Sequence, residues 1–178
     1  RGTQRRAGRR VVTLGDGWAS AEGGVAEEHL FGSLLRTKLG ARFHHRARRN
    51  AGPKLIAACL PGEYHEVGLL LFCLAALERD YQIILLGANL PFEELPTVLQ
   101  RTHAKAIVLS GSINPPATVL QEQLVQLIQR IDVPVLIGGE TSISHRDAIV
   151  RAGAVPVGND IAHALRQLGE LVEFDTSR

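Results

Sequence analysis

The sequence predicts an α/β fold, a parallel sheet of five strands covered on both faces and preceded by a small helical element. Two observations carry this expectation. From Pro53 onward, short apolar runs of strand length alternate with stretches of helical period, and strands that take turns with helices imply parallel pairing through helical crossovers. Charge is also unevenly divided. Residues 1–54 hold 12 Lys and Arg against 4 Asp and Glu, whereas residues 55–178 hold 8 against 14. The expected division is a basic tail and helical segment over residues 1–52 and the main α/β domain over 53–178. A chain of 178 residues with 45% hydrophobic content can build one core of average size plus such an appendage.

Taken in order, residues 1–10 carry five arginines and no acid, too little apolar surface to order a tail by burial. Gly15-Asp16-Gly17 marks a turn before Trp18, the only tryptophan. From Val25 the pattern is helical, with Leu30, Leu34, Leu35, Leu39 and Phe43 at three- and four-residue steps. Glu27 and Glu28 in its first turn and Arg46, Arg48 and Arg49 in its last suit the helix dipole. Gly52-Pro53 stops it. Arg42, Arg46 and Arg49 share a face that could serve as a phosphate-binding ridge or simply a solvated helix end.

Strand Lys54–Leu60 then leads to a nearly all-apolar helix, Glu66–Arg79, and Tyr81–Leu86 forms the second strand. Gly87 to Pro91 opens the helix Phe92–Thr102. Strand Lys105–Leu109 ends at Ser110, and Pro115-Pro116 introduces a helix carrying Leu120, Leu124, Leu127, Ile128 and Ile131. Strand Val133–Ile137 runs into Gly138-Gly139. The short helix Ser144–Arg151, strand Val155–Val157 and helix Asp160–Val172 complete the chain. Right-handed crossovers leave few topologies. The flavodoxin-like, Rossmann-like order 2-1-3-4-5 sets the ends of strands one and three at the switch point, where open α/β sheets bind ligands.

Several functions are excluded or disfavoured by what the chain lacks. No G-x-G-x-x-G follows the first strand, no phosphate loop ends in G-K-[ST], and no His or Cys cluster has zinc spacing. Val67 to Leu77, the longest strongly apolar run, is too short to cross a bilayer, and no signal peptide opens the chain. The expectation is a cytoplasmic protein with no membrane contact. Cys59 and Cys73 sit inside apolar runs and read as small core residues. The absence of methionine leads to the expectation that the chain does not begin at a natural start codon.

The stretch between strand one and its helix, Pro61-Gly62-Glu63-Tyr64-His65-Glu66-Val67-Gly68, carries the chemistry. His65 lies in the first βα loop, where a neutral imidazole can ligate a transition metal, with Glu63 two residues away to fix its tautomer. Gly68 allows a bulky group to approach the backbone. Ser110 and Gly138-Gly139 fall where later strands stop and the same crevice begins. Alone, E-x-H-x-x-G also fits a surface histidine in a polar turn.

A histidine loop, then a serine, then a glycine pair resemble the cobalamin-binding domain, whose pattern is D-x-H-x-x-G, Ser, Gly-Gly. This sequence has Glu63 in place of the aspartate. The resemblance implies that His65 coordinates cobalt from the lower face with the corrinoid base-off. It further implies that Ser110 meets the displaced nucleotide base, and that Gly138 and Gly139 leave room for the tail. Upstream, Trp18 followed after nine residues by Glu28-His29 resembles the upper-face signature of the CarH/LitR-type adenosylcobalamin photoreceptors. There an aromatic plate packs on the adenosyl group and a carboxylate takes its ribose hydroxyls.

This resemblance implies a cobalamin-dependent light sensor and transcription regulator rather than an enzyme. Adenosylcobalamin is its expected cofactor, and a homo-oligomer or a regulatory protein its expected partner. DNA contact could come only from an upstream domain or the basic N-terminal segment. The DNA-binding members carry a histidine just after the tryptophan; this chain has Ala19, so capture of cobalt from that position is impossible here. A corrinoid carrier for methyl transfer and a cobalamin-binding antirepressor are the competing readings.

Overall fold

The computed structural model describes residues 24–46 and 51–172. Helix α1, Gly24–Arg46, comes first. The sheet is built from β1 (Lys54–Cys59), β2 (Gln82–Gly87), β3 (Ala106–Ser110), β4 (Val135–Gly138) and β5 (Val155–Gly158). All neighbours pair in parallel, in the order β2-β1-β3-β4-β5. This is the 2-1-3-4-5 topology expected from the sequence.

Alternation along each strand divides the core between the two faces. Ile56, Ala58, Ile107, Leu109, Val135 and Ile137 join one buried cluster with Phe92, Leu95, Leu120, Leu124, Leu127 and Ile149. These come from a short 3-10 turn with α3 (Leu95–Thr102), a π turn with α4 (Leu124–Ile128), and α6 (Arg146–Ala152). Helices α2 (Val67–Leu77) and α7 (Ile161–Leu171) contact each other and the sheet. Leu55, Ala57, Cys59, Leu69, Leu70, Cys73, Leu165 and Leu168 are all buried. Burial pushes the Cys73 thiol far up, with Cys59 adding to the effect, and neither cysteine forms a disulfide.

The helix expected at Ser144–Arg151 is α6, Arg146–Ala152, and a short helix that the sequence did not suggest precedes it. Helix α5, Glu140–Ser144, stops at His145, whose φ of −119° breaks the spiral before α6 begins. The helix expected after Pro115-Pro116 runs continuously over residues 117–128, with a π-wound turn at Val119–Gln123 inside it. Capping matches the chemistry of the sequence elsewhere. Asp160 accepts the His163 backbone N–H at 3.0 Å to start α7, and Gly153 ends α6 with a φ of +95°.

The chain divides into two units, residues 1–40 and 41–178. In the first, Leu30 and Leu34 of α1 are exposed. In the second, Arg42 pairs with Glu78 at 3.4 Å, so one member of the expected basic ridge is drawn to a carboxylate. The Arg46 and Arg49 side chains lie outside the description. No helix among the described residues is long and apolar enough to cross a membrane.

Candidate functional site: a histidine held by a buried carboxylate

Strand β1 ends at Cys59, and the Leu60 N–H still reaches across to Ser110 O at 2.9 Å. A tight turn follows, with Gly62 at a φ of +82° and the Glu63 N–H donating to Leu60 O at 3.0 Å. This turn swings Glu63 back under the strand ends, where it is fully buried.

A buried carboxylate is costly unless its lone pairs are satisfied, and here they are. Glu63 Oε1 accepts the His65 backbone N–H at 2.7 Å and lies 2.7 Å from His65 Nδ1. Glu63 Oε2 accepts the Ser112 N–H at 2.5 Å, the Ser112 hydroxyl at 2.6 Å and the Ile113 N–H at 3.2 Å. Burial pushes the carboxyl up. The Ser112 hydroxyl, the His65 and Ser112 amides and the His65 ring together outweigh it, and the group is held below its ordinary value. Glu63 is therefore ionised at neutral pH.

An ionised partner on Nδ1 assigns the proton to that nitrogen and makes Nε2 the basic one. The imidazole is 55% exposed while its carboxylate is wholly enclosed, so the anchor faces inward and the ring outward. Ser112 Oγ also lies 3.4 Å from Nδ1. The longer glutamate side chain thus reaches the histidine.

Ser110 is half-buried at the end of β3. It pairs in register with Cys59 on one side and Gly138 on the other, and Gly138 pairs with Gly158. The C-terminal edge of four strands is consequently lined by one row of small residues. A Cβ built on Gly68 would sit 3.7 Å from Ser110 Oγ, and one on Gly138 3.5 Å from Gly158 O and Val157 Cγ2, both ordinary contacts. Nothing in the protein's own packing requires glycine at either position.

Gly139 differs. Its φ is +89°, and a Cβ there would collide with the Gly111 backbone. Gly111 in turn has no room for a Cβ, which would lie 2.5 Å from Leu60 Cδ1. These two glycines let the loops after β3 and β4 touch, closed by Gly111 N–H to Gly138 O at 3.1 Å and Thr141 N–H to Gly111 O at 3.0 Å.

The structure thus brings together Glu63 and His65, and sets Gly68 beside Ser110 and Ser110 beside Gly138. Sequence reasoning missed Ser112, Gly111 and Asn89. The adjacent Ser110-Gly111-Ser112 was the available signal, since two hydroxyls flanking a glycine at a strand end suit a buried acceptor. Of the upper-face residues, Trp18 and Ala19 lie outside the described residues. Glu28 lies on α1 with its side chain outside the description, and His29 is exposed on the same helix.

Comparison with known proteins bears on this arrangement. The HTH-type transcriptional repressor CarH of Myxococcus xanthus is 30% identical over 140 residues, which are 76% of this chain and 46% of that protein. The chain is a homologue of CarH over that span. The resemblance to the CarH/LitR-type family read from the motifs is borne out. The HTH-type transcriptional repressor CarA of the same organism is 29% identical over 134 residues, 73% of this chain and 46% of CarA. The chain spans about half the length of both CarH and CarA. Among solved structures, a novel cobalamin-binding protein from Desulfitobacterium hafniense DCB-2 superposes with a TM-score of 0.54 at 21% identity. It covers 65% of this chain and 58% of its own, and it supports the α/β fold. No family model matches the chain.

Proposed function

We propose that this chain binds cobalamin, as adenosylcobalamin, base-off with His65 as the lower ligand, and that it acts as a light-responsive regulator. The observation that carries the reading is the Glu63–His65 contact of 2.7 Å at the carboxyl end of β1. It gives Nε2 the lone pair that a metal needs.

The residues present fit a corrinoid. Among the described residues no group of three or more His, Cys, Asp or Glu could hold a metal ion, and a corrinoid brings most of its cobalt's ligands with it. The row Cys59–Ser110–Gly138–Gly158 leaves the strand ends low. Gly68 and Gly138, which the protein does not need as glycines, suit the close approach of a ligand tail. When bound, adenosylcobalamin supplies a light-sensitive cobalt–carbon bond. The chain's part is to hold one face through His65 and to cover the other with Trp18, Glu28 and His29 in the 1–52 segment. Loss of the upper contacts would shift the equilibrium between two assemblies or partner contacts, with a second copy or a regulatory protein as the partner.

The test loads the protein with adenosylcobalamin and records visible spectrum and molecular mass in the dark and after illumination. A light-driven spectral change is expected, with His65→Ala abolishing the signature of histidine-ligated cobalt. An unchanged spectrum, with methyl transfer to a partner protein instead, overturns the sensor in favour of a corrinoid carrier. A His65→Ala protein that keeps the signature overturns the ligand assignment.

A further inference from the structure

The histidine loop is held from two sides, and only one of them involves the Glu63 side chain. Ser112 and Ile113 grip the carboxylate from the loop after β3. From the opposite side, the loop after β2 grips the backbone of the same segment through one residue, Asn89. Its side-chain Oδ1 accepts the Gly62 N–H at 2.8 Å, and its backbone N–H donates to Glu63 O at 2.8 Å. Asn89 has a φ of +47°, a left-handed conformation that asparagine tolerates better than most residues. That conformation lets side chain and backbone of one residue face the same neighbour.

We infer that Asn89 is a positioning residue for the His65 ligand, fixing the height and tilt at which Nε2 is presented to cobalt. This rests on the reading of His65 as the ligand. Geometry gives the reason. The two Asn89 contacts fall on Gly62 and Glu63, three and two residues before the imidazole, in a segment outside any helix or strand. Besides them, the turn is joined to the sheet through Leu60, the buried carboxylate and a long contact of 3.8 Å from the Cys59 thiol to His65 O. The Glu63 side chain has more rotatable bonds than an aspartate would have, so the carboxylate alone constrains the backbone less. The Asn89 clamp removes that slack.

Three variants separate positioning from mere structure: Asn89→Gly, which keeps the left-handed backbone but loses the side-chain acceptor, Asn89→Asp, which keeps both, and Asn89→Ala, which loses the acceptor and strains the backbone. Two readouts are needed. Amide exchange at Gly62 and His65 in the protein without ligand measures the clamp itself. Titration with hydroxocobalamin, read from the histidine-ligated visible spectrum, measures what the clamp does. Asn89→Gly and Asn89→Ala should each speed exchange and weaken histidine ligation by roughly three- to tenfold, the range of one lost hydrogen bond. Asn89→Asp should restore both. Wild-type ligation in Asn89→Gly, or a loss in Asn89→Asp as large as in Asn89→Ala, overturns the role. A wild-type protein that exchanges slowly at Gly62 yet never ligates cobalt overturns the functional reading instead, and the role of Asn89 with it.

Discussion

Replacing Glu63 by glutamine removes one charge and almost no volume, and the geometry of the site predicts a disproportionate effect. Five donors converge on the two carboxylate oxygens: the His65 amide and ring, the Ser112 amide and hydroxyl, and the Ile113 amide. An amide offers one oxygen and one NH2 group, so it must turn a donor toward one set. Facing Ser112 and Ile113, the NH2 group strands two backbone donors. Facing His65 it strands one, and the ring must accept at Nδ1. The second arrangement is the cheaper, at about 1–3 kcal/mol for one unsatisfied buried N–H and a further ~1 kcal/mol for lost charge assistance. It also moves the imidazole proton to Nε2, the nitrogen assigned to cobalt. Glu63→Gln should therefore lower stability by about 2–4 kcal/mol and weaken histidine ligation by about ten- to hundredfold. The assays are urea denaturation, read as a change in midpoint at constant slope, and hydroxocobalamin titration. A variant within about 0.5 kcal/mol of wild type, with unchanged ligation, would refute the convergence of donors as the source of ligand strength.

Three further outcomes are expected. The folded Glu63 pKa lies below its unfolded value near 4.5, so near that pH the unfolded chain binds more protons. The contribution is complete above about pH 4.5 and is lost as acid brings the pH down through the folded pKa; urea midpoints of wild type should fall over that range while those of Glu63→Gln fall less. Gly68→Ala, in the first turn of α2, should raise the stability of the ligand-free protein by about 0.5–1 kcal/mol while weakening cobalamin binding, whereas Gly139→Ala should destabilise the fold by about 2 kcal/mol or more; thermal melts with binding titrations check both, and unchanged binding in Gly68→Ala would count against ligand approach there. Trp18→Ala should weaken adenosylcobalamin by at least tenfold, from the loss of the aromatic surface proposed to pack on the adenosyl group, and hydroxocobalamin much less; equal losses in parallel titrations would rule out an upper-face role.

Much of the fold was legible because each strand is short and apolar and each helix keeps its period, so alternation alone fixed the class. The switch-point rule then selected the observed strand order. The extra short helix Glu140–Ser144 and the π-wound turn at Val119 were not legible, since both depend on backbone geometry that side-chain period does not record. At the site, Glu63 and His65 could be read together because they are neighbours in sequence. Ser112 reaches Glu63 across 49 residues and Asn89 reaches Gly62 across 27; the Ser110-Gly111-Ser112 run hints at the first, and nothing local marks the second. The glycine pair was read as one feature, but only Gly139 is demanded by the protein's own packing.

The span between Glu63 and its anchors also orders events in time. The carboxylate is satisfied only after β3 has docked against β1 and closed the intervening chain, a non-local step of the kind that slows folding. If His65 is the ligand proposed above, a chain in which that docking has not happened should offer cobalt a weaker and less fixed donor. On the proposed reading, competence to hold the metal arrives with the third strand, so a half-made domain should not trap a corrinoid prematurely.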